Sequence, residues 1–326
     1  MACLDQYPVC IQSAVVGRAR RGCTQGWGVN APVDCVGLLL NYRDALRSVS
    51  SVRSLMANGA VGVVVWDNSA DQGHSRAELL SEMEGDERIH VHISPTNLGF
   101  SAGVNRGLEL CAQLYPGSRV LLINNDARLL PGGLEALVNV LEKHPESRIA
   151  FPAISHSGVV GGLSYYHKLT GILSGKPHPG CFPYASGCCM LLATDRLEVP
   201  LFDEEFFMYG EDAELGWRLH DKPGAMLFVD QVLVEHDGSA SSGLGSAFYE
   251  THMVAAHLIL VRKVSEKGAG RLVLYALRMP VLFMRACVRA KRFQSWVPLA
   301  ALWHGIRLAF PRKQAEQERR QRSLRQ

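Results

Sequence analysis

Within residues 119–130 an apolar run, 120–123, breaks off abruptly into Asn124, Asn125 and Asp126. So short a run suits a strand covered on both faces, as in a parallel sheet. The polar triplet then sits at the carboxyl end of that strand, where open α/β sheets bind ligands. The pattern occurs twice upstream. Residues 33–40 form an apolar run that ends in Asn41, Tyr42, Arg43 and Asp44, and residues 61–66 form another that ends in Asp67, Asn68 and Ser69. Ile89, Val91 and Ile93 alternate as a further strand.

Between these runs apolar residues recur at helical spacing. Ala45, Val49, Val52 and Met56 share one face, closed by Asn58-Gly59. A loop is predicted over 97–105, followed by a helix with Leu108, Cys111 and Ala112 inward; Leu134, Leu137, Val138 and Leu141 mark another, stopped by Pro145. Strands alternating with helices predict an α/β fold with a mostly parallel central sheet, flanked by helices through right-handed crossovers. After Pro152 the rhythm changes. Residues 154–183, rich in Gly, Ser, His and Pro, predict irregular loops or a short hairpin over a ligand. An acidic and aromatic cluster spans 202–215, then come short strands over 225–229 and 232–234, with His236 just beyond.

Length and composition bound the rest. A chain of 326 residues accommodates one large α/β domain with an appendage, or two modest domains. The net charge of +3 gives no reason to expect nucleic acid. Nine cysteines without a CxxC pair suit a reducing cytoplasm. No signal peptide is read at the start, and no stretch offers the ~20 uncharged apolar residues of a spanning helix. The expected division is a poorly ordered extension over 1–31, a catalytic domain over 32–245, and a helical, basic, membrane-associating region over 246–326. In that last region Arg271, Arg278, Arg285 and Arg292 recur every seventh residue, with Leu274, Leu277, Val281, Met284 and Val288 opposite and Pro280 as a kink. This pattern predicts an interfacial helix on an anionic membrane, the alternative being a helix packed on the protein with its arginines in water. Trp296 and Trp303 in the following segment suit a membrane interface. The expected location is cytoplasmic, peripheral on the inner face of the plasma membrane.

Several pieces fall in a telling order: Leu40-Asn41-Tyr42, Asp67-Asn68-Ser69, Asn97-Leu98-Gly99-Phe100 through Asn105-Arg106-Gly107, Asn124-Asn125-Asp126, Ser186-Gly187-Cys188, Phe202-Asp203 through Tyr209, Glu211-Asp212, and His236. Together they resemble the bacterial family 2 glycosyltransferases of GT-A fold, especially the rhamnosyltransferase-like members, over roughly residues 33–241. The resemblance implies an inverting transfer from a nucleotide-diphospho donor, a dTDP- or UDP-sugar, to a glycan or lipid-linked acceptor in cell-surface polysaccharide synthesis.

It also implies roles. Asp126 corresponds to the last acid of an Asp-X-Asp motif, and with His236 it would hold a divalent Mg²⁺ or Mn²⁺ against the diphosphate. The first acid of the motif is replaced by Asn124, which lowers the negative charge available to a metal. Asp212 is the implied general base, with Glu211 beside it positioning the acceptor; Glu214 stands where the family usually has Asp. Asn41, Tyr42, Asp67 and Asn68 correspond to the base and ribose site, where a carboxylate accepting from a pyrimidine N3–H selects uracil or thymine. Asn97, Gly103, Asn105 and Asn125 complete the implied nucleotide-sugar site. Each has a plainer reading: an Asx turn for the triplet, helix-dipole acids for Glu211-Asp212, sheet-edge packing for Tyr42, helix–sheet packing for the glycines. Two other functions compete. A sugar nucleotidyltransferase needs a glycine- and lysine-rich loop after the first strand, and Asn41-Tyr42-Arg43-Asp44 is not one. A catalytically weak membrane-binding homologue is the other, suggested by Asn124.

Overall fold

The computed structural model describes residues 33–83, 85–237 and 243–310, so the extension expected over 1–31 and the tail after Phe310 lie outside it. The chain opens with β1 (Val33–Asn41), α1 (Ala45–Ala57), β2 (Ala60–Asp67), α2 (His74–Ser81), β3 (Ile89–Ile93), α3 (Gly99–Leu114) and β4 (Arg119–Ile123). It continues through β5 (Ala127–Leu129), α4 (Gly133–Lys143), β6 (Ile149–His156), β7 (Val159–Gly161), β8 (Leu163–His167), β9 (Leu173–Ser174), β10 (Cys181–Ala185) and β11 (Cys189–Leu192). Then follow α5 (Glu211–Leu219), β12 (Met226–His236), α6 (Ala247–Lys263), α7 (Ala269–Phe293) and α8 (Val297–Ala309).

The main sheet has nine strands in the order β3-β2-β1-β4-β11-β6-β12-β5, with β7 added on β6. Strands β3, β2, β1 and β4 pair in parallel; β11 lies antiparallel between β4 and β6, and β12 runs parallel to β6. The sheet is therefore mostly parallel, and β1, β2 and β4 all finish at one edge. Their apolar runs are explained by cover on both faces. Leu39, Val63 and Leu121 pack with α1 and α4 on one side, while Leu38, Val64 and Leu122 pack with α3 and α5 on the other. Each such side chain contributes about 1.5–3 kcal/mol of burial, so the covered positions 35–40, 61–66 and 120–123 carry no polar side chain before the strands end.

Several local expectations need correcting. The loop predicted over 97–105 is helix from Gly99 onward, because Gly99 at φ 81° turns the chain where a side chain would collide with the Phe207 carbonyl. Ala112 points to solvent. Residues 154–183 are not irregular: β8, β9 and β10 make a three-stranded antiparallel sheet in the order β10-β8-β9. The two short strands expected near Val229 and Val232 are one, β12, whose register shifts at both positions. Neither α2 nor β5 was anticipated.

The largest correction concerns α7. Arg278, Arg285 and Arg289 face inward. Arg278 is 0% exposed and Arg289 is also buried, while Leu277, Met284 and Val288 face solvent. The reason lies on the neighbouring elements. Glu250 of α6 is buried and accepts from Arg285 Nη1 at 2.9 Å and Arg289 Nε at 2.7 Å. Arg278 spends its fork of donors on the carbonyls of Lys168, Leu169 and His257 and on the Tyr166 hydroxyl. Helices α6, α7 and α8 share an apolar core with Tyr166, Phe182 and Phe206, so a division at residue 245 cuts through elements that pack together.

Candidate active site

At the carboxyl edge of the parallel strands, Asn41 and Asp67 are register partners and both are fully buried. Asn41 donates from Nδ2 to Asp67 Oδ1 at 3.0 Å, and its Oδ1 accepts from Ser48 Oγ at 2.8 Å. Asp67 Oδ1 also accepts from the Ser69 amide and hydroxyl at 3.1 and 2.5 Å. Asp67 Oδ2, by contrast, is buried with no hydrogen-bond partner among the described residues. A carboxylate oxygen held this way by its own neighbours is an acceptor waiting for a donor. Tyr42 is 40% exposed beside it, with the Arg43 guanidinium 5.5 Å from its ring centroid. Arg43 and Ala70, at φ 53° and 49°, follow the ends of β1 and β2 in left-handed conformations that non-glycine residues seldom hold outside functional turns.

The triplet Asn124-Asn125-Asp126 forms the turn from β4 to β5, closed by Ala127 N donating to Asn124 O at 3.1 Å. Asn125 Nδ2 reaches Ser48 Oγ at 3.2 Å, which ties the turn to Asn41 through one hydroxyl. Strand β12 brings its last residue across: His236 pairs in register with Ala127, and its Nε2 lies 3.0 Å from Asp126 Oδ1. The backbone amide of Asn124 donates to Cys188 O at 2.8 Å, linking the turn to the segment between β10 and β11.

That segment carries Gly187, whose amide donates to Asp212 Oδ2 at 3.3 Å. Asp212 Oδ1 accepts from the Ala213 amide at 2.8 Å. Tyr209 at φ 67° and Gly210 at φ 87° turn the chain into α5, so its first turn presents Glu211, Asp212 and Glu214. Glu214 is neutralised by Arg218 Nε at 2.9 Å. Glu211 and Asp212 have no Lys or Arg partner among the described residues, and Glu211 Oε2 is buried without a hydrogen bond. Burial, reinforced by the Asp212 charge, pushes the Glu211 carboxyl up to about 8. Burial also pushes Asp212 up to about 6, against the lowering effect of the Gly187 and Ala213 amides. At neutral pH the pair therefore holds one proton on Glu211 and one charge on Asp212, the state a general base needs.

The sequence model of glycosyl transferase family 2 matches residues 42–231, more than half of the chain. The chain belongs to this family. It is a glycosyltransferase. It is also 24% identical over 253 residues to the N-acetylglucosaminyl-diphospho-decaprenol L-rhamnosyltransferase of two Mycobacterium tuberculosis strains, covering 67% of this chain and 78% of that protein. Among solved structures, residues 1–349 of TarS from S. aureus superpose with TM-score 0.50 at 12% identity, over 85% of this chain and 81% of that one. GalNAc-T7, solved with UDP, GalNAc and Mn²⁺, gives TM-score 0.55 at 12% identity, over 86% of this chain and 58% of that one. These likenesses show the GT-A fold.

In this glycosyltransferase the predicted site residues divide into two groups. Asn41, Tyr42, Asp67, Asn125, Asp126, His236, Glu211 and Asp212 gather at or beside the carboxyl edge. Asn68, Gly103 and Asn105 make contacts within the fold. Asn68 accepts from Trp66 Nε1 at 3.1 Å and donates to Gly99 O at 2.8 Å, bracketing the start of α3. A Cβ on Gly103 would meet Leu40 Cδ2 at 2.6 Å and Asn68 Nδ2 at 2.9 Å, so this glycine lets α3 lie on the sheet. Asn105 donates to Phe202 O at 2.8 Å and to Glu204 Oε1 at 3.1 Å, and accepts from Phe202 N at 3.1 Å, pinning the acidic cluster. Asn97 is exposed, and its Oδ1 accepts from the Gly99 amide at 2.9 Å in the turn before α3. From sequence, Ser69 is singled out only as part of a motif, and Ser48 and Ser51 are not singled out. Their signal was available, since Ser48 and Ser51 are polar residues on the buried face of α1. For a metal, Asp126 and His236 supply one carboxylate and one imidazole side by side, and no three His, Cys, Asp or Glu residues cluster among the described ones. This donor set fits an ion whose remaining ligands arrive with a diphosphate, not one caged by protein alone.

Proposed function

We propose that this glycosyltransferase moves a sugar, with rhamnose the first to test, from a dTDP- or UDP-linked donor to a hydroxyl of a lipid-linked cell-surface glycan, with inversion. The observation that carries the reading is the orphan oxygen of Asp67. A buried carboxylate with one oxygen satisfied and one aimed at nothing matches the N3–H of uracil or thymine, which offers a single donor. Tyr42 and Asn41 complete that side. The name of the mycobacterial relative supports both rhamnose and a lipid diphosphate acceptor, and an acceptor of this kind puts the protein at a membrane.

In this mechanism Asp212 takes the proton of the acceptor hydroxyl as its oxygen attacks the anomeric carbon. The bond to the nucleoside diphosphate breaks on the opposite side. The amides of Gly187 and Ala213 hold the Asp212 carboxylate in one orientation, while neutral Glu211 leaves the base its charge. Asp126 and His236 would hold a divalent ion, Mg²⁺ or Mn²⁺, which would supply positive charge against the departing diphosphate. A thermal-shift screen of the purified protein against pyrimidine and purine nucleotide sugars, with Mg²⁺ or Mn²⁺, tests the donor class. Protection by a dTDP- or UDP-sugar, weakened about tenfold or more in Asp67→Asn, is the expected result. Protection by purine nucleotides alone would overturn the reading.

A further inference from the structure

The reversed polarity of α7 leaves a surface that the catalytic machinery does not use. From Leu272 to Val288 its outward positions are Leu272, Val273, Ala276, Leu277, Pro280, Phe283, Met284, Cys287 and Val288, without a charged residue until Lys291. Leu272 is 70% and Phe283 58% exposed, and α8 adds Trp296 at 81% and Trp303 at 63%. The two helices present one surface, because Cys287 and Lys291 of α7 line the same hollow of about 410 Å³ as Trp296 and Leu299 at the start of α8. Large apolar side chains exposed in this number on two adjoining helices point to an interaction surface.

From these observations we propose that the outer face of α7 and α8 inserts into the interfacial layer of an anionic lipid membrane. Insertion is through the apolar side chains, not through Arg278, Arg285 and Arg289, which turn inward onto Tyr166 and Glu250. Charge identifies the occupant. No Asp or Glu occurs between Glu266 and Glu316, while Lys291, Arg292 and Arg307 flank the apolar face and Arg312, Lys313, Arg319, Arg320, Arg322 and Arg325 follow in the sequence against only Glu316 and Glu318. Anionic headgroups complement this rim, whereas a second copy of the same face would meet it with like charge. The exposed indoles of Trp296 and Trp303 suit headgroup depth. No helix among the described residues is long and apolar enough to cross a membrane, so the binding is to one leaflet.

The surface is joined to the site. Arg289 of α7 lies 5.2 Å from the Tyr249 ring, and Tyr249 packs edge-on against Tyr209 at 5.2 Å, two residues before Glu211. The inner face of α7 is thus linked through α6 to the turn that precedes Glu211, and a membrane on its outer face suits the lipid-linked acceptor of the proposed function, on which that match rests. The surface itself is tested without donor or acceptor. Full-length protein is sedimented with vesicles of phosphatidylcholine alone and of phosphatidylcholine mixed with phosphatidylglycerol. Binding to the mixed vesicles is expected, with a blue shift of tryptophan emission. In Phe283→Ser and Trp303→Ser it should weaken at least about tenfold each, the loss of one buried aromatic side chain. Lys291→Glu should weaken binding to the anionic vesicles more than to the neutral ones. Both aromatic variants, being at exposed positions, should keep wild-type transfer to a soluble acceptor fragment. Vesicle binding unchanged by these variants, or wild-type protein that ignores both vesicle types, would overturn the proposal. So would a self-association that the same variants abolish, which assigns the face to a second copy. A negative vesicle result with intact transfer leaves the enzymatic reading standing; vesicle binding with no nucleotide-sugar protection does the reverse.

Discussion

Two regions of this molecule bury carboxylates in opposite ways. Glu250, beneath α7, has both of its oxygens paired with cations, Arg285 and Arg289. At the sheet edge, Asp67, Glu211 and Asp212 are held by amides and hydroxyls or by nothing, with no Lys or Arg beside them among the described residues. Both arrangements cost desolvation. Only the first recovers it inside the folded chain. A protein keeps unneutralised buried acids where a ligand or a proton will later supply the counterpart, so the contrast separates architecture from chemistry without reference to motifs.

The sharpest way to break the contrast is Asp212→Asn. Loss of the base should lower turnover about a thousandfold, within the range general-base catalysis supplies, with nucleotide-sugar binding and the melting temperature nearly unchanged. In the wild type, kcat/KM should rise with pH through about 6 and level off above, because Asp212 must be ionised to act. Near-normal turnover in the variant would remove Asp212 from the mechanism. Next in size is Glu250→Ala, which strands two buried guanidinium groups. It should cost about 3–5 kcal/mol of stability by chemical denaturation, with the kcat of the surviving folded fraction little altered. A loss of turnover without a loss of stability would place Glu250 on the wrong side of the comparison.

How much of this was legible in the sequence follows from the same distinction. The parallel strands were plain, because cover on both faces forces runs such as 120–123, and their abrupt polar ends marked the site. Glu211 and Asp212 were found through resemblance; their lack of a cationic partner is a three-dimensional fact. The start of α3 is not legible because Gly99 and Gly103 look like loop residues until the Phe207 carbonyl and the Leu40 side chain that they approach are known. The arginines of α7 misled for a related reason. Heptad spacing shows that residues share a face, but not which face is inside. Amphipathic periodicity alone assumes that charge points outward, and Glu250, distant in sequence from Arg289, reverses that assumption.

The smallest effect tests the comparison most finely. Glu211 is protonated in the folded protein up to about pH 8 because burial and the neighbouring Asp212 charge raise it from its usual range near 4.5. Between those values the folded state holds a proton that the unfolded state has lost. Stability therefore falls as pH rises across this interval, and is spared below it. Glu211→Gln keeps the shape and removes the titration. The variant should match the wild type at about pH 5 and exceed it by on the order of 2 kcal/mol at about pH 9, read by denaturant titration at both. Its base Asp212, relieved of a neighbour that can ionise, should keep a charge over the same neutral range. A stability gap that does not widen with pH would mean that Glu211 has a partner in solution, and the sheet-edge acids would then resemble Glu250 after all.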